Sequence, residues 1–140
     1  MIAMSIELDH IVLWVADPLR SAEFYGTVLG LAPLRLAEFR EGTAPFPSVR
    51  VSAGTIIDLM PLSLAPGMDA AAQGSAGHPV NHLCLSLDRD GYLALKERLA
   101  ALGIPTPLTM KDSFGARGLA PETVYFTDPD RNVIEARHYA

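Results

Sequence analysis

Residues 8–31 read LDHIVLWVADPLRSAEFYGTVLGL, and this stretch decides the fold. From Glu7 to Val15 the chain has the β-branched and aromatic content of a strand. Asp17-Pro18 follows, a helix N-cap with proline at the first helical position. Leu19, Ala22, Phe24, Tyr25, Val28 and Leu29 then carry an apolar helical stripe, and Gly30 is a natural stop. Three extended stretches are expected next, near residues 32–40, 46–52 and 54–61, separated by glycine and proline.

The same order returns in the second half. Val80–Leu87 (VNHLCLSL) reads as a strand, and Asp88 or Asp90 is placed to cap a helix. Tyr92, Leu95, Leu99 and Leu102 recur at helical spacing, Gly103 and Pro105 close it, and strands are expected near 105–110, 122–127 and 132–139. His10 and His82 lie 72 positions apart, Gly30 and Gly103 lie 73 apart, and Asp58 and Glu135 lie 77 apart. An offset so nearly constant marks a duplicated unit. The chain therefore reads as one α+β domain over 1–140: a βαβββ module at 5–61, an Ala-, Gly- and Pro-rich connector at 62–79, and a second βαβββ module at 80–139. Each module is too small to bury both faces of its sheet, so the two are expected to pair into an incomplete mixed barrel with helices outside and a trough inside.

Bulk properties narrow the partners. The 140 residues carry a net charge of −5 and no run of Lys or Arg, which argues against nucleic acid. Cys84 is the single cysteine, which excludes an internal disulfide and fits a reducing, cytoplasmic setting. The first ten residues have no basic start and include Glu7 and Asp9, unlike a secretory signal. Apolar runs fall far short of the ~20 residues that cross a bilayer, so the protein is expected to be soluble, with no membrane partner. Hydrophobic residues make up 49%, a richness that points to an apolar patch and a homodimer.

Strand alternation sorts the side chains. Ile11, Leu13 and Val15 share one face and His10, Val12 and Trp14 the other; in the repeat, Leu83, Leu85 and Leu87 oppose His82, Cys84 and Ser86. The aliphatic faces belong under the helices, and the histidine faces line the trough. The last strand of each module offers a carboxylate in the same way, Asp58 among Ile56 and Met60, and Glu135 among Val133 and Arg137. One histidine on a strand is usually a hydrogen-bonded structural residue, and Glu135 has Arg137 and Arg131 as ordinary partners. His, carboxylate, His, carboxylate at equivalent places of two repeats is a joint pattern that points to a metal.

The opening LDHIVLWVADPLRSAEFYGTVLGL, the strand NHLCLSLD and the close VYFTDPDRNVIEARHY resemble the glyoxalase/bleomycin-resistance/extradiol dioxygenase proteins of the vicinal-oxygen-chelate superfamily. The close, from FGARGLAPE onward, is most similar to small, little-characterised glyoxalase-domain members. The resemblance implies metal ligands from the first strand of each module and the last strand of the second: His10, His82 and Glu135. Glyoxalase-like members add a fourth ligand, which falls on Asp58, where the family usually has Glu or Gln. Asp58, shorter by a methylene, is then a ligand, a ligand through water, or a base.

A mixed N/O donor set suits one divalent Fe, Mn, Ni, Co or Zn ion. Open positions would take two adjacent oxygens of a small substrate, with Asp58 or Glu135 moving a proton. The expected function is therefore a glyoxalase-like lyase or isomerase. The alternatives are an extradiol-type Fe(II) dioxygenase, with His78, Tyr125, His138 or Tyr139 as acid/base, and a non-catalytic drug-binding module. Trp14, Phe46, Met60 and Phe114 are candidates for an apolar pocket, Arg50 and Arg117 for holding a carboxylate, and Gly115–Gly118 for a mobile lid.

Overall fold

The structure is a computed structural model that describes residues 8–64, 80, 82–115 and 117–140. The chain divides into two compact units, Met1–His78 and Pro79–Ala140.

In the first unit, β1 (His10–Val15) leads into α1 (Pro18–Leu29), β2 (Ala32–Leu34), α2 (Leu36–Glu41), β3 (Ser48–Ser52) and β4 (Thr55–Pro61). The sheet order is β1-β4-β3-β2, with β1 parallel to β4 and the other pairs antiparallel. Helix α1 starts where the sequence says it should: the Asp17 carboxylate accepts from the backbone N–H groups of Leu19 and Arg20 at 3.1 and 3.2 Å. It ends at Gly30, whose φ of 71° is left-handed backbone that costs a glycine little. Ala22, Tyr25 and Val28 on its inner stripe, and Leu13, Val15, Val49, Ile57 and Leu59 from the strands, form the buried core of the unit.

The second unit repeats this plan with β5 (Leu83–Leu87), α3 (Arg89–Ala101), β6 (Leu108–Gly115), β7 (Gly118–Thr127) and β8 (Val133–His138). Its order, β5-β8-β7-β6, is the order of the first sheet, and β5 is parallel to β8. Asp88 caps α3 by accepting from the Gly91 N–H at 2.7 Å. Tyr92, Leu95 and Leu99 pack with Val124, Phe126, Ile134 and Ala136. The turn before β8 is tied by Asp128, whose carboxylate accepts from the N–H groups of Asp130 and Asn132 and from the Asn132 side chain. The expected α+β class and duplicated βαβββ order are what the two open, mixed sheets show.

Three expectations need correction. The extended stretch expected near 32–40 holds only a three-residue strand; residues 36–41 form α2. LAEFRE is made largely of good helix formers without a β-branched residue, and left-handed backbone at Arg35 and Gly42 brackets it. The strand expected near 105–110 runs on to Gly115, and its register with β7 is kept as far as Gly115↔Gly118. The glycines thus pair at the closed end of the β6–β7 hairpin. The second module's first strand begins at Leu83, not Val80. Glu7, His78 and connector residues 65–79 lie outside the described residues, whereas Leu62–Leu64 forms a 3-10 turn.

Candidate metal centre

Register fixes which side chains share the helix-free face of each sheet. In the first unit His10 pairs with Ile56, Val12 with Asp58 and Trp14 with Met60, while Ser48 of β3 pairs across to Asp58. In the second, Cys84 pairs with Glu135 and Ser86 with Arg137 across the parallel pair, and Tyr125 and Thr123 of β7 pair with Glu135 and Arg137. Leu13, Val15, Ile57 and Leu59, of the opposite parity, are buried on the helix side, as the alternation requires.

Within each unit this brings one imidazole to one buried carboxylate. His10 Nε2 stands 3.9 Å from Asp58 Oδ2, and His82 Nε2 stands 3.2 Å from Glu135 Oε1. Both carboxylates are buried, and in both a hydroxyl on the neighbouring strand holds the other oxygen. Ser48 donates to Asp58 Oδ1 at 2.6 Å, and Thr123 donates to Glu135 Oε2 at 2.6 Å. His10 is also bound at Nδ1 by Asp9 at 2.7 Å, which turns Nε2 toward Asp58. That hydrogen bond and then the Asp58 charge hold the His10 imidazole above its ordinary pKa.

Glu135 is the more constrained acid. Arg137, almost wholly buried two residues on, donates to Glu135 Oε2. Burial pushes the Glu135 carboxyl upward, but hydrogen bonds from Thr123, Arg137 and Tyr125 outweigh it and leave the pKa below the usual value. Glu135 is thus a fixed anion at neutral pH. Tyr125, beside it, is pushed up by burial and by the Glu135 carboxylate, and its ring lies 5.7 Å from that of His82. Burial, followed by the Glu135 charge, raises the Cys84 thiol, so Cys84 is no ready nucleophile.

The donor chemistry fits a divalent cation. Two donors roughly 2.0–2.2 Å from one ion stand about 3 Å apart, close to the His82–Glu135 separation. Asp58 lies further from its imidazole, in keeping with its shorter side chain. Within neither unit do three His, Cys, Asp or Glu side chains of the described residues cluster, so each unit supplies a two-donor pair.

Other expected site residues fall elsewhere. His138 packs on Tyr92 at 4.9 Å on the helix side, because its parity along β8 is that of Ile134 and Ala136. It is structural rather than an acid/base on the histidine face. Arg50 is spent on its own hairpin, donating to the carbonyls of Ser52 and Ala53 at 3.1 Å. Phe46 lies under the Arg35 guanidinium. Trp14 and Met60 do share the His10 face, and His78 and the Phe114 side chain lie outside what is described. Ser48, Thr123 and Asp9 were not singled out in the sequence. For Thr123 the alternation with Val124 and Phe126 carried a signal, but only the hairpin register shows which acid a hydroxyl reaches.

Solved structures share this architecture. An integron cassette protein from the mobile metagenome of V. Cholerae matches with a TM-score of 0.68 at 24% identity, covering 100% of both chains. A lactoylglutathione lyase from Agrobacterium tumefaciens gives 0.67 at 22% identity over 96% of this chain and 94% of its own. The fosfomycin resistance protein FosX of Listeria monocytogenes, in complex with Mn(II) and a dihydroxypropylphosphonic acid, gives 0.67 at 18% identity over 98% and 95%. At such identities the likeness is one of fold. The family model for the Glyoxalase/Bleomycin resistance protein/Dioxygenase superfamily matches residues 7–136, nearly the whole chain, and the chain belongs to that superfamily.

Proposed function

We propose that the protein is a divalent-metal-dependent enzyme, a glyoxalase-like lyase or isomerase that moves a proton on a small substrate chelated through two adjacent oxygens. His10, His82 and Glu135 would hold the metal, with Asp58 beside them. The observation that carries this reading is the repeated pair: in both modules an imidazole Nε2, two residues before the strand residue that pairs with the acid, faces a buried carboxylate held by a hydroxyl of the neighbouring strand.

When bound, the metal supplies Lewis acidity that eases loss of a proton next to a carbonyl. The protein's own groups divide the remaining work. Glu135, clamped by Arg137 and Thr123, is suited to stay charged and act as a ligand. Among the described residues Asp58 has one hydroxyl donor, Ser48, and no arginine, so it is the group we assign to take up and return the proton. Trp14 and Met60 lie on the same face as Asp58 and give that side an apolar lining. We read the active form as a cytoplasmic homodimer; Leu108, Met110 and Leu119, all exposed on the β6–β7 hairpin, supply apolar surface for a partner. No helix among the described residues is long and apolar enough to cross a membrane.

The test is metal analysis of untagged protein, parent beside His10→Ala and His82→Ala. The expected result is a stoichiometric divalent ion in the parent and its loss in both variants. Metal content unchanged in both variants, or a parent that purifies metal-free and binds a drug indifferently to chelator, would overturn the proposal.

A further inference from the structure

Next to the His82–Glu135 pair the second module carries a second arginine, Arg117, that the proton-transfer chemistry does not use. Ser86 and Arg137 form the residue pair after Cys84 and Glu135 on the same face, about 7 Å further along the strands. Arg137 is buried, its Nη atoms donate to Ser113 and Glu135, and its charge is matched by Glu135. Its Nε, also buried, meets no acceptor among the described residues, an unfavourable state for a guanidinium N–H.

Arg117, at the hairpin end, leans over the same place. Its guanidinium lies 4.6 Å from the Tyr139 ring, its Nη2 donates to Ser86 Oγ at 3.4 Å, and its backbone N–H donates to Tyr139 Oη at 3.3 Å. Among the described residues Arg117 forms no ion pair with a carboxylate. The guanidinium is therefore positioned by a ring and a hydroxyl, with no carboxylate on it among the described residues. Ser86, which accepts from Arg117, still has its own O–H to donate. A planar guanidinium fork with a hydroxyl beside it is a recognition unit for a carboxylate or a phosphonate.

We propose that Arg117, Ser86 and the neighbouring Arg137 form a subsite for an oxyanion, so that the substrate is a small acid. Its anionic group would sit at Arg117 while its chelating oxygens face His82 and Glu135. Only the second half of that placement rests on the metal reading above.

The test uses the full chain freed of metal with EDTA and titrated at low salt with methylphosphonate and, separately, with acetate, followed by NMR shifts. The parent is expected to bind at least one probe saturably, and the tighter of the two tells a tetrahedral from a planar anion. Arg117→Gln, at an exposed hairpin position, should weaken binding by about tenfold or more, while keeping the parent's metal content and melting temperature. Ser86→Ala should weaken it by a smaller factor. Failure of the metal-free parent to bind either probe overturns the subsite, and so does Arg117→Gln binding as tightly as the parent. A parent that binds a probe yet purifies without metal would keep the subsite and remove the metal reading.

Discussion

Replacing Arg137 with Met tests the electrostatics of the site without touching a proposed metal ligand. Arg137 is 4% exposed and Glu135 2%, so the variant leaves a carboxylate buried without its counter-ion, in a space methionine fills with methylenes, a sulfur and a methyl group. Breaking a buried pair by removing one partner costs about 3–5 kcal/mol. Thr123 and Tyr125 still bind Glu135, which favours the lower end, about 3 kcal/mol at pH 7. In a domain of this size that lowers the melting temperature by roughly 10 °C. The pH dependence gives the sharper check. Glu135 has a depressed pKa in the parent, so it contributes stability that is present above the unfolded carboxylate value and is lost as pH falls through the folded one. Without Arg137 the burial effect is opposed by less, the folded pKa rises, and the carboxyl becomes neutral at higher pH. The difference between parent and variant should therefore be largest near neutrality and shrink toward pH 4. Urea unfolding of metal-free protein at pH 7 and pH 4 measures both quantities. A loss below about 1 kcal/mol at pH 7, or an equal loss at the two pH values, would refute the reasoning.

Two further outcomes follow from contacts away from the site. Asp17→Ala removes the cap of α1 and should cost about 1 kcal/mol, read as a lower urea midpoint with an unchanged m-value; no change would mean that solvent satisfies those N–H groups equally well. Glu122 accepts from Lys96 at 2.7 Å and from the Tyr92 hydroxyl at 2.6 Å, and these bonds, Lys96 first, hold its pKa below the ordinary carboxylate value. Its stabilising contribution should be lost as pH falls from the ordinary carboxylate value through the lowered folded one. Since the Lys96 side chain is 39% exposed, Lys96→Met should remove no more than about 0.5 kcal/mol of it at pH 7, measured by the same unfolding assay.

Most of the architecture was legible because local and global signals agree in this chain. Asp17, Pro18 and Gly30 mark α1 by backbone chemistry alone, and period-two alternation on β1 and β5 separates the helix side from the histidine side. The constant offset then transfers each assignment to the other module. Helix α2 was hidden because six residues between Arg35 and Gly42 are too few to show a period, and its start depends on a left-handed arginine that no propensity anticipates. The hydroxyl partners were hidden for a different reason. Whether Ser48 reaches Asp58 depends on the turn that joins β3 to β4, where the register shifts between Arg50 and Ser52. The partner of Glu135 was open between Arg131 and Arg137 in the sequence; Arg131 is taken up by the turn, at a φ of 68°, and Arg137 shares the acid's face.

Comparing the two modules position by position shows how a duplicated scaffold can acquire an asymmetric task. The residue four after the histidine is Trp14 in one module and Ser86 in the other; the residue two after the acid is Met60 in one and Arg137 in the other. These four positions are paired by the same parallel register, Trp14↔Met60 and Ser86↔Arg137. One sheet therefore presents an apolar pair next to its His–Asp, and the other a hydroxyl and a guanidinium next to its His–Glu. The backbone that sets the donor positions is common to both, so divergence at one neighbouring pair changes the surroundings of each acid while its imidazole stays in place. An arginine beside Glu135 fixes a charge, whereas a thioether and an indole follow Asp58 on its face. The proposed proton transfer uses that asymmetry, with Glu135 assigned as the ligand and Asp58 as the group that moves the proton.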